Sequence, residues 1–240
     1  MRLHRFFINQ NIAELFKQKD SFDISDKDLV HQWKNVFRYN VGSQVVVFDG
    51  NGTDYLCLIS SLRNLGATVE VLQKKPTTSI SERKNVWLCD AVLKKDNFDL
   101  VVQKATELGI SNIVPILCEH SEKRNLNLER MRKIATEATE QSGRGDIPTI
   151  HLPMTLTEVF QTEILPQEKV VFDPSGVPLK QYLTSANQDS FAIFVGPEGG
   201  FSEKEIAFLR EHNAPVVSLG PQILRAETAA IAVSSLFLLQ

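Results

Sequence analysis

The chain has 240 residues, 42% of them hydrophobic and 23% charged, which allows one large or two smaller globular domains and excludes a disordered or collagenous chain. Its formal charge of −3 excludes a uniformly basic nucleic-acid binder, yet the charge is uneven: 8 Lys/Arg against 8 Asp/Glu in residues 1–72, 13 against 11 in 73–147, and 5 against 10 in 148–240. A local basic face therefore remains open in the first two-thirds.

Residues 3–8 read as a first strand and 11–19 as a short helix. Leu29, Trp33, Val36 and Phe37 recur at helical spacing, so 26–37 is predicted as an amphipathic helix, with His31 and Lys34 on its polar side and Arg38 just after it. Residues 44–48 are a β-branched run, followed by the strong turn Asp49-Gly50-Asn51-Gly52. With 55–60 and 67–72, these short strands suit a small β-barrel spanning 1–72. Residues 73–79, polar and carrying Pro76, are expected to be a linker.

From residue 80 to 240 the texture changes to strands alternating with longer helices. Strands are expected at 86–89, 113–117, 169–172, 191–195 and 216–219. Helices are expected at 98–108 (ended by Gly109), 128–141, 156–164, from Ser202 through Leu209, and at 226–239. That alternation argues for α/β with a largely parallel sheet. No apolar run approaches the roughly 20 residues of a membrane span. The start has too short an apolar run for a signal peptide, so a cytoplasmic protein without membrane contact is expected. Cys57, Cys89 and Cys118 form no C-x-x-C pair, which favours reduced buried thiols over disulfides or a metal site.

Three glycine-bearing turns each follow a strand: Asp173-Pro174-Ser175-Gly176, Gly196-Pro197-Glu198-Gly199-Gly200, and Leu219-Gly220-Pro221-Gln222. Glycine accepts positive φ and lets a ligand approach the backbone, although the same turns also serve as plain connections. If the three strands are neighbours, their carboxyl ends make one crevice. Ser202 with Glu205 has capping-box spacing for the helix after the second turn. Arg225 opens an almost wholly apolar helix, where the helix dipole disfavours a cation. It is there either to hold an anion or as a structural ion pair. No Walker A, H-E-x-x-H, G-x-S-x-G or full G-x-G-x-x-G occurs.

Gly196–Ser202 as G-P-E-G-G-F-S and Leu219–Ala229 as L-G-P-Q-I-L-R-A-E-T-A resemble the two hallmark motifs of the bacterial uridine N3-methyltransferases of 16S ribosomal RNA, members of the SPOUT class. Gln103-Lys104-Ala105-Thr106-Glu107-Leu108-Gly109 and Glu140-Gln141-Ser142-Gly143-Arg144 match as well, and the first domain fits through Arg2-Leu3-His4-Arg5-Phe6-Phe7 and 31–38. The resemblance covers essentially the whole chain.

It implies a PUA-like β-barrel followed by an α/β SPOUT domain with a deep trefoil knot, S-adenosyl-L-methionine as methyl donor, and a homodimer acting on the small ribosomal subunit. Matched residue by residue, it puts donor contact on Phe172, Asp173, Gly196, Glu198, Gly199, Leu219, Gly220, Ile223, Leu224 and Ala226. Arg225 and Arg144 are the candidates to hold uracil or a phosphate, and Glu198 the candidate to orient the donor or take the N3 proton. Arg2, Arg5, Lys34 and Arg38 would grip RNA phosphates. The family usually carries arginines where Gln222 and Asn97 stand, and Arg-Ser at His120-Ser121, which implies re-routed RNA contacts.

Two other readings compete. A non-catalytic RNA-binding assembly factor would have no use for a methyl donor. A nucleotide-dependent enzyme would need a lysine beside the glycines, and neither 195–202 nor 219–225 contains one.

Overall fold

The computed structural model describes residues 3–16, 20–77, 84–94, 96–122, 125–183 and 189–239. They fall into two units. One comprises Met1–Glu82 with Thr139–Asp146, the other Arg83–Ala138 with Ile147–Gln240.

The first unit contains β1 (Arg5–Phe7), α1 (Ile12–Phe16), β2 (Ser21–Ile24), α2 (Lys27–Asn35), β3 (Gln44–Phe48), β4 (Thr53–Leu62) and β5 (Ala67–Pro76). The strands form one sheet in the order β1-β3-β4-β5-β2. β1 lies parallel to β3, and the other pairs are antiparallel. Alternation decides the faces: Val45, Val47, Tyr55, Cys57, Ile59, Ala67 and Val69 turn inward while Val46, Leu56, Leu58 and Thr68 stay more exposed. α2 begins where Asp26 accepts the N–H groups of Asp28 and Leu29, and it buries Leu29, Val30 and Trp33. The Trp33 ring meets Phe6 edge-on at 5.5 Å.

Two features of this unit differ from the sequence expectation. Ser21–Ile24 is a strand, and β5 runs on to Pro76, paired with Thr53, through half of the expected linker. Residues 139–146 are held here by Arg5. Its guanidinium donates to both carboxylate oxygens of Asp54 (2.7 and 2.9 Å) and to the carbonyls of Thr139, Glu140 and Arg144. It also stacks 4.3 Å above the Phe48 ring. The backbone N–H of Gly52 donates to the Gly145 carbonyl. A Cβ at Gly145 would collide with Thr77 and Gly52, so glycine permits that approach.

The second unit contains β6 (Asn85–Ala91), α3 (Asn97–Leu108), β7 (Asn112–Ile116), α4 (Leu128–Ser142, whose last turn belongs to the first unit), β8 (Thr149–Ile150), α5 (Leu156–Gln161), β9 (Glu168–Pro178), α6 (Leu179–Leu183), β10 (Ser190–Val195), α7 (Glu203–Glu211), β11 (Val216–Ser218) and α8 (Ala226–Leu238). Its six-stranded sheet has the order β11-β9-β10-β6-β7-β8, every pair parallel. Both faces are covered, by α3 and α8 on one side and by α5 and α7 on the other. The central strands therefore read as continuous apolar runs rather than alternating ones. Gly109 closes α3 in the left-handed conformation, as expected. No helix among the described residues is long and apolar enough to cross a membrane.

Candidate functional site

β11, β9 and β10 are adjacent, so the three glycine-bearing connections leave neighbouring strands. The expected turn at 173–176 is an excursion within β9. Val171 pairs with Val216 and Val177 with Val217, so the intervening residues bulge out. Asp173 shapes the bulge, its Oδ1 accepting the N–H and hydroxyl of Ser175 at 2.9 and 2.6 Å. A Cβ at Gly176 would fall on the backbone of Val216 and Val217, so only glycine passes there.

After β10, Gly200 turns with φ +72° and donates its N–H to the Pro197 carbonyl at 2.8 Å. Ser202 and Glu205 then close a capping box, with both reciprocal bonds formed at 3.3 and 2.8 Å. The free oxygen of Glu205 accepts the Glu119 N–H, and His120 Nδ1 lies 3.0 Å from the Gly200 carbonyl. After β11, Gly220 takes φ +147°.

These connections and the start of α8 enclose a cavity of about 520 Å³. Phe172, Asp173, Gly196, Glu198, Ile223, Leu224 and Ala226 line it, as does Arg225. A smaller recess of about 70 Å³ shares Phe172, Asp173 and Leu224 with it and adds Leu219, Gly220 and Gln222. Gly199 lines neither; its Cα faces His120, where a Cβ would stand 3.1 Å from the histidine Cβ. Its smallness lets two loops close on each other. Arg225 is exposed, and no hydrogen bond or ion pair to its guanidinium is found among the described residues. The structural ion pair left open by the sequence is absent there, and the side chain is available to a ligand.

The remaining candidates lie in the first unit. Arg144 is buried and ion-paired with Asp146 at 2.7 Å. Arg5 is a correction to the RNA-phosphate set: all of its donors point inward, as described above. Lys34 is half-buried and donates to Asn64; Arg38 is exposed and adopts φ 56°. Arg2 lies outside the described residues.

Four members of the site stand outside the residues the sequence assigned to it. Asn97, noted there only as a departure from the family's usual arginine, opens α3; Lys94 arrives from the β6–α3 connection and Glu227 from the first turn of α8. Lys94 supplies the lysine that the glycine turns lacked, but its Nζ sits 2.6 Å from Glu122 and its backbone N–H donates to Glu198 Oε1 at 3.1 Å. The fourth is Asp90, near the end of β6, fully buried behind the wall. Neither of its oxygens has a hydrogen-bond partner among the described residues, and burial together with the charges of Glu198 and Glu227 pushes its carboxyl well above the usual range. A single acid inside an apolar strand was the visible signal. The lining thus carries three acids, Asp173, Glu198 and Glu227, against Arg225 and a Lys94 already neutralised by Glu122. That balance favours a compact cationic ligand over a polyphosphate, and the volume suits a small molecule. No group of three His, Cys, Asp or Glu side chains among the described residues could hold a metal ion.

Comparison with known proteins follows the same division. The family model described as an RNA methyltransferase domain matches residues 81–238, and that of an RNA methyltransferase PUA domain matches residues 34–72. Among curated relatives, ribosomal RNA small subunit methyltransferase E of Rickettsia conorii is 32% identical over 238 residues, covering 96% of this chain and 93% of that protein. Its Bacillus subtilis counterpart is 27% identical, covering 95% and 93%. Among solved structures, ribosomal RNA small subunit methyltransferase E of Neisseria gonorrhoeae bound to S-adenosyl methionine superposes with a TM-score of 0.83 at 26% identity, covering 98% of this chain and 96% of that one.

Proposed function

The chain belongs to the ribosomal RNA small subunit methyltransferase E family, and on that premise we propose that it transfers a methyl group from S-adenosylmethionine to N3 of a uridine in 16S ribosomal RNA. The observation that carries the reading is the cavity at the ends of β9, β10 and β11, lined by acids and by one uncommitted arginine. A sulfonium donor is a small cation, which the orphaned Asp90 and the acidic lining fit. When bound it supplies an electrophilic methyl group.

The remaining work falls to the chain. Backbone at Gly196, Leu219, Gly220, Ile223, Leu224 and Ala226 walls the donor; Phe172 and Asp173 close the bulge side, and Gly199 lets the loop bearing His120 pack behind it. Uridine N3 carries an imide proton and faces its Watson–Crick partner, so the base must be unpaired or flipped out. Arg225 at the rim favours the imide anion through its charge; Arg144, buried and paired with Asp146, is a correction to the anion-holding pair. A carboxylate, Glu198 in this reading, orients the donor or takes the proton. Lys34 and Arg38 grip RNA phosphates, which makes affinity fall with salt.

The proposal also includes a PUA-like barrel for the first unit, a deep trefoil knot in the second, a homodimer, the small ribosomal subunit as the setting and a cytoplasmic location. Support for the dimer comes from exposed apolar side chains at Ile223 (88% exposed) and Leu239; the knot rests on membership of the family. The test is to incubate purified protein with labelled donor and small subunits from a strain lacking the activity. The expected product is 3-methyluridine; methyl transfer to C5 or to ribose would overturn the chemistry.

A further inference from the structure

Asp90 is a buried acid with no role in the methyl-transfer step itself. In β6 it lies between Val195 of β10, which lines the cavity, and Pro115 of β7. Alternation along the strand puts its side chain on the Leu88 face, the one covered by α3 and α8. The charges that act on it are Glu198, from the β10 connection, and Glu227, from α8. Glu227 is itself 9% exposed, and no hydrogen bond or ion pair to its carboxylate is found among the described residues.

Other titratable groups nearby are Cys89 on the same strand and Cys118 after β7; burial raises both thiols, so both stay neutral. Glu205 of α7 acts on Cys118, and Lys94 is neutralised by Glu122. Arg225 stands at the rim, exposed to solvent. Three carboxyl groups thus gather behind and around one wall of the cavity. A buried carboxylate with no donor and two acidic neighbours is too costly to remain ionised, so it keeps its proton.

We propose that Asp90 is a charge-compensating residue that separates the methyl donor from its demethylated product: it holds its proton when the cavity contains no cation and releases it when a sulfonium ligand enters. This rests on the reading of the cavity as the S-adenosylmethionine pocket. The balance is simple. One positive charge enters with the ligand, the Asp90 O–H bond breaks, and one proton leaves to the buffer, so the net charge of the site is unchanged. S-adenosylhomocysteine, a neutral thioether with the same ammonium and carboxylate, leaves the proton on Asp90. Glu198 and Glu227 favour the proton on Asp90 while the cavity is empty of cations, and a cation placed among the carboxyl groups favours the ionised form of Asp90. Product therefore meets a pocket one charge less negative than donor does.

The experiment is calorimetric titration of the full chain with S-adenosylmethionine and with S-adenosylhomocysteine. It is run at about pH 6.5 in two buffers of different ionisation enthalpy, so that protons released are counted directly. The expected result is close to one proton released with the sulfonium ligand and none with the thioether. Donor affinity then rises by up to about tenfold per pH unit while product affinity stays flat. In Asp90→Asn, neither ligand is expected to release a proton, and thioether affinity stays within about threefold of wild type. Equal release for both ligands, or release that persists in Asp90→Asn, overturns the proposal; the wild-type comparison requires no variant to fold. Failure of wild type to bind S-adenosylhomocysteine at all instead overturns the pocket reading beneath it.

Discussion

Glu198 accepts the backbone N–H of Lys94 at 3.1 Å, which ties together the connections leaving the neighbouring strands β10 and β6. The acid is thus a brace as well as a lining group. Glu198→Gln keeps a carbonyl oxygen to accept that bond, whereas Glu198→Ala leaves the N–H without it. A hydrogen bond contributes about 0.5–1.5 kcal/mol, so Glu198→Ala is expected to weaken S-adenosylhomocysteine binding by about 3–10-fold. Glu198→Gln should bind it within about twofold of wild type. Calorimetry reads the affinities, and the turnover of Glu198→Gln reports whether the carboxylate is also the proton acceptor.

Arg225 is exposed, lines the cavity and has no partner among the described residues. Removing it should leave the fold intact and strip a charged contact from the reacting base. Arg225→Ala is expected to lower the rate of methyl transfer by about 10–100-fold, the range of a charge-assisted hydrogen bond. Thermal unfolding should be unchanged, and so should S-adenosylhomocysteine affinity. An undiminished rate removes Arg225 from the site.

Arg5 and Arg38 are expected to behave in opposite ways. Arg5→Ala strands the largely buried Asp54 without its partner and releases three backbone carbonyls, so the first unit should lose about 3 kcal/mol in urea unfolding. Arg38→Ala should leave stability unchanged. It should instead reduce the slope of log affinity against log salt for RNA binding by about one, the signature of one lost phosphate contact.

Gly176→Ala tests the bulge in β9. The added Cβ would meet the Val216–Val217 backbone, and the strand can relieve that only by shifting. Overpacking of this kind costs about 1–3 kcal/mol. Phe172, Asp173 and Pro174, which shape both recesses, lie in the same excursion. A lower melting temperature together with weakened S-adenosylhomocysteine binding is expected, read by thermal scanning and calorimetry.

Asp90 also makes stability depend on pH. Its carboxyl is raised in the folded chain above the value of about 3.9 expected for an unfolded one. The folded state therefore binds more protons between those two values. The contribution of Asp90 is fully present below the unfolded value and is lost as pH rises toward the folded one. Asp90→Asn removes this loss. Its melting temperature should exceed that of wild type by a margin that widens from about pH 5 to pH 8.

Much of the second unit is legible in the sequence because its signals are local. Residues 191–195 are a run of apolar side chains, and Ser202 and Glu205 stand at the spacing that becomes a capping box. The three glycine turns are visible too, and their meeting in one crevice follows once β11, β9 and β10 are neighbours. What was not legible depends on distant partners. Ser21–Ile24 has only Phe22 and Ile24 to mark an inward face, too short an alternation to stand out. Gln73–Pro76 is polar, yet backbone pairing with Thr53–Leu56 carries the strand through it whatever the side chains. Arg5 looks like any basic residue beside an RNA-binding fold; its burial is decided by Asp54 and by carbonyls more than 130 positions away. Lys94 enters the cavity from a connection that no motif covers.

The attachment of residues 139–146 to the first unit has a consequence for synthesis. The amino-terminal strands emerge early, but the carbonyls that receive Arg5, the carboxylate that receives the Phe7 N–H and the Gly145 carbonyl that receives Gly52 all lie beyond residue 138. At about 5–20 residues per second, the nascent first unit waits several seconds for its last segment while most of β6 to α4 is being made. It therefore cannot complete its folding until the first part of the second unit has been made, whereas an ordinary amino-terminal domain folds as soon as its own contiguous residues emerge. A truncated transcript ending anywhere before residue 146 would yield a first unit with an open seam rather than a finished one.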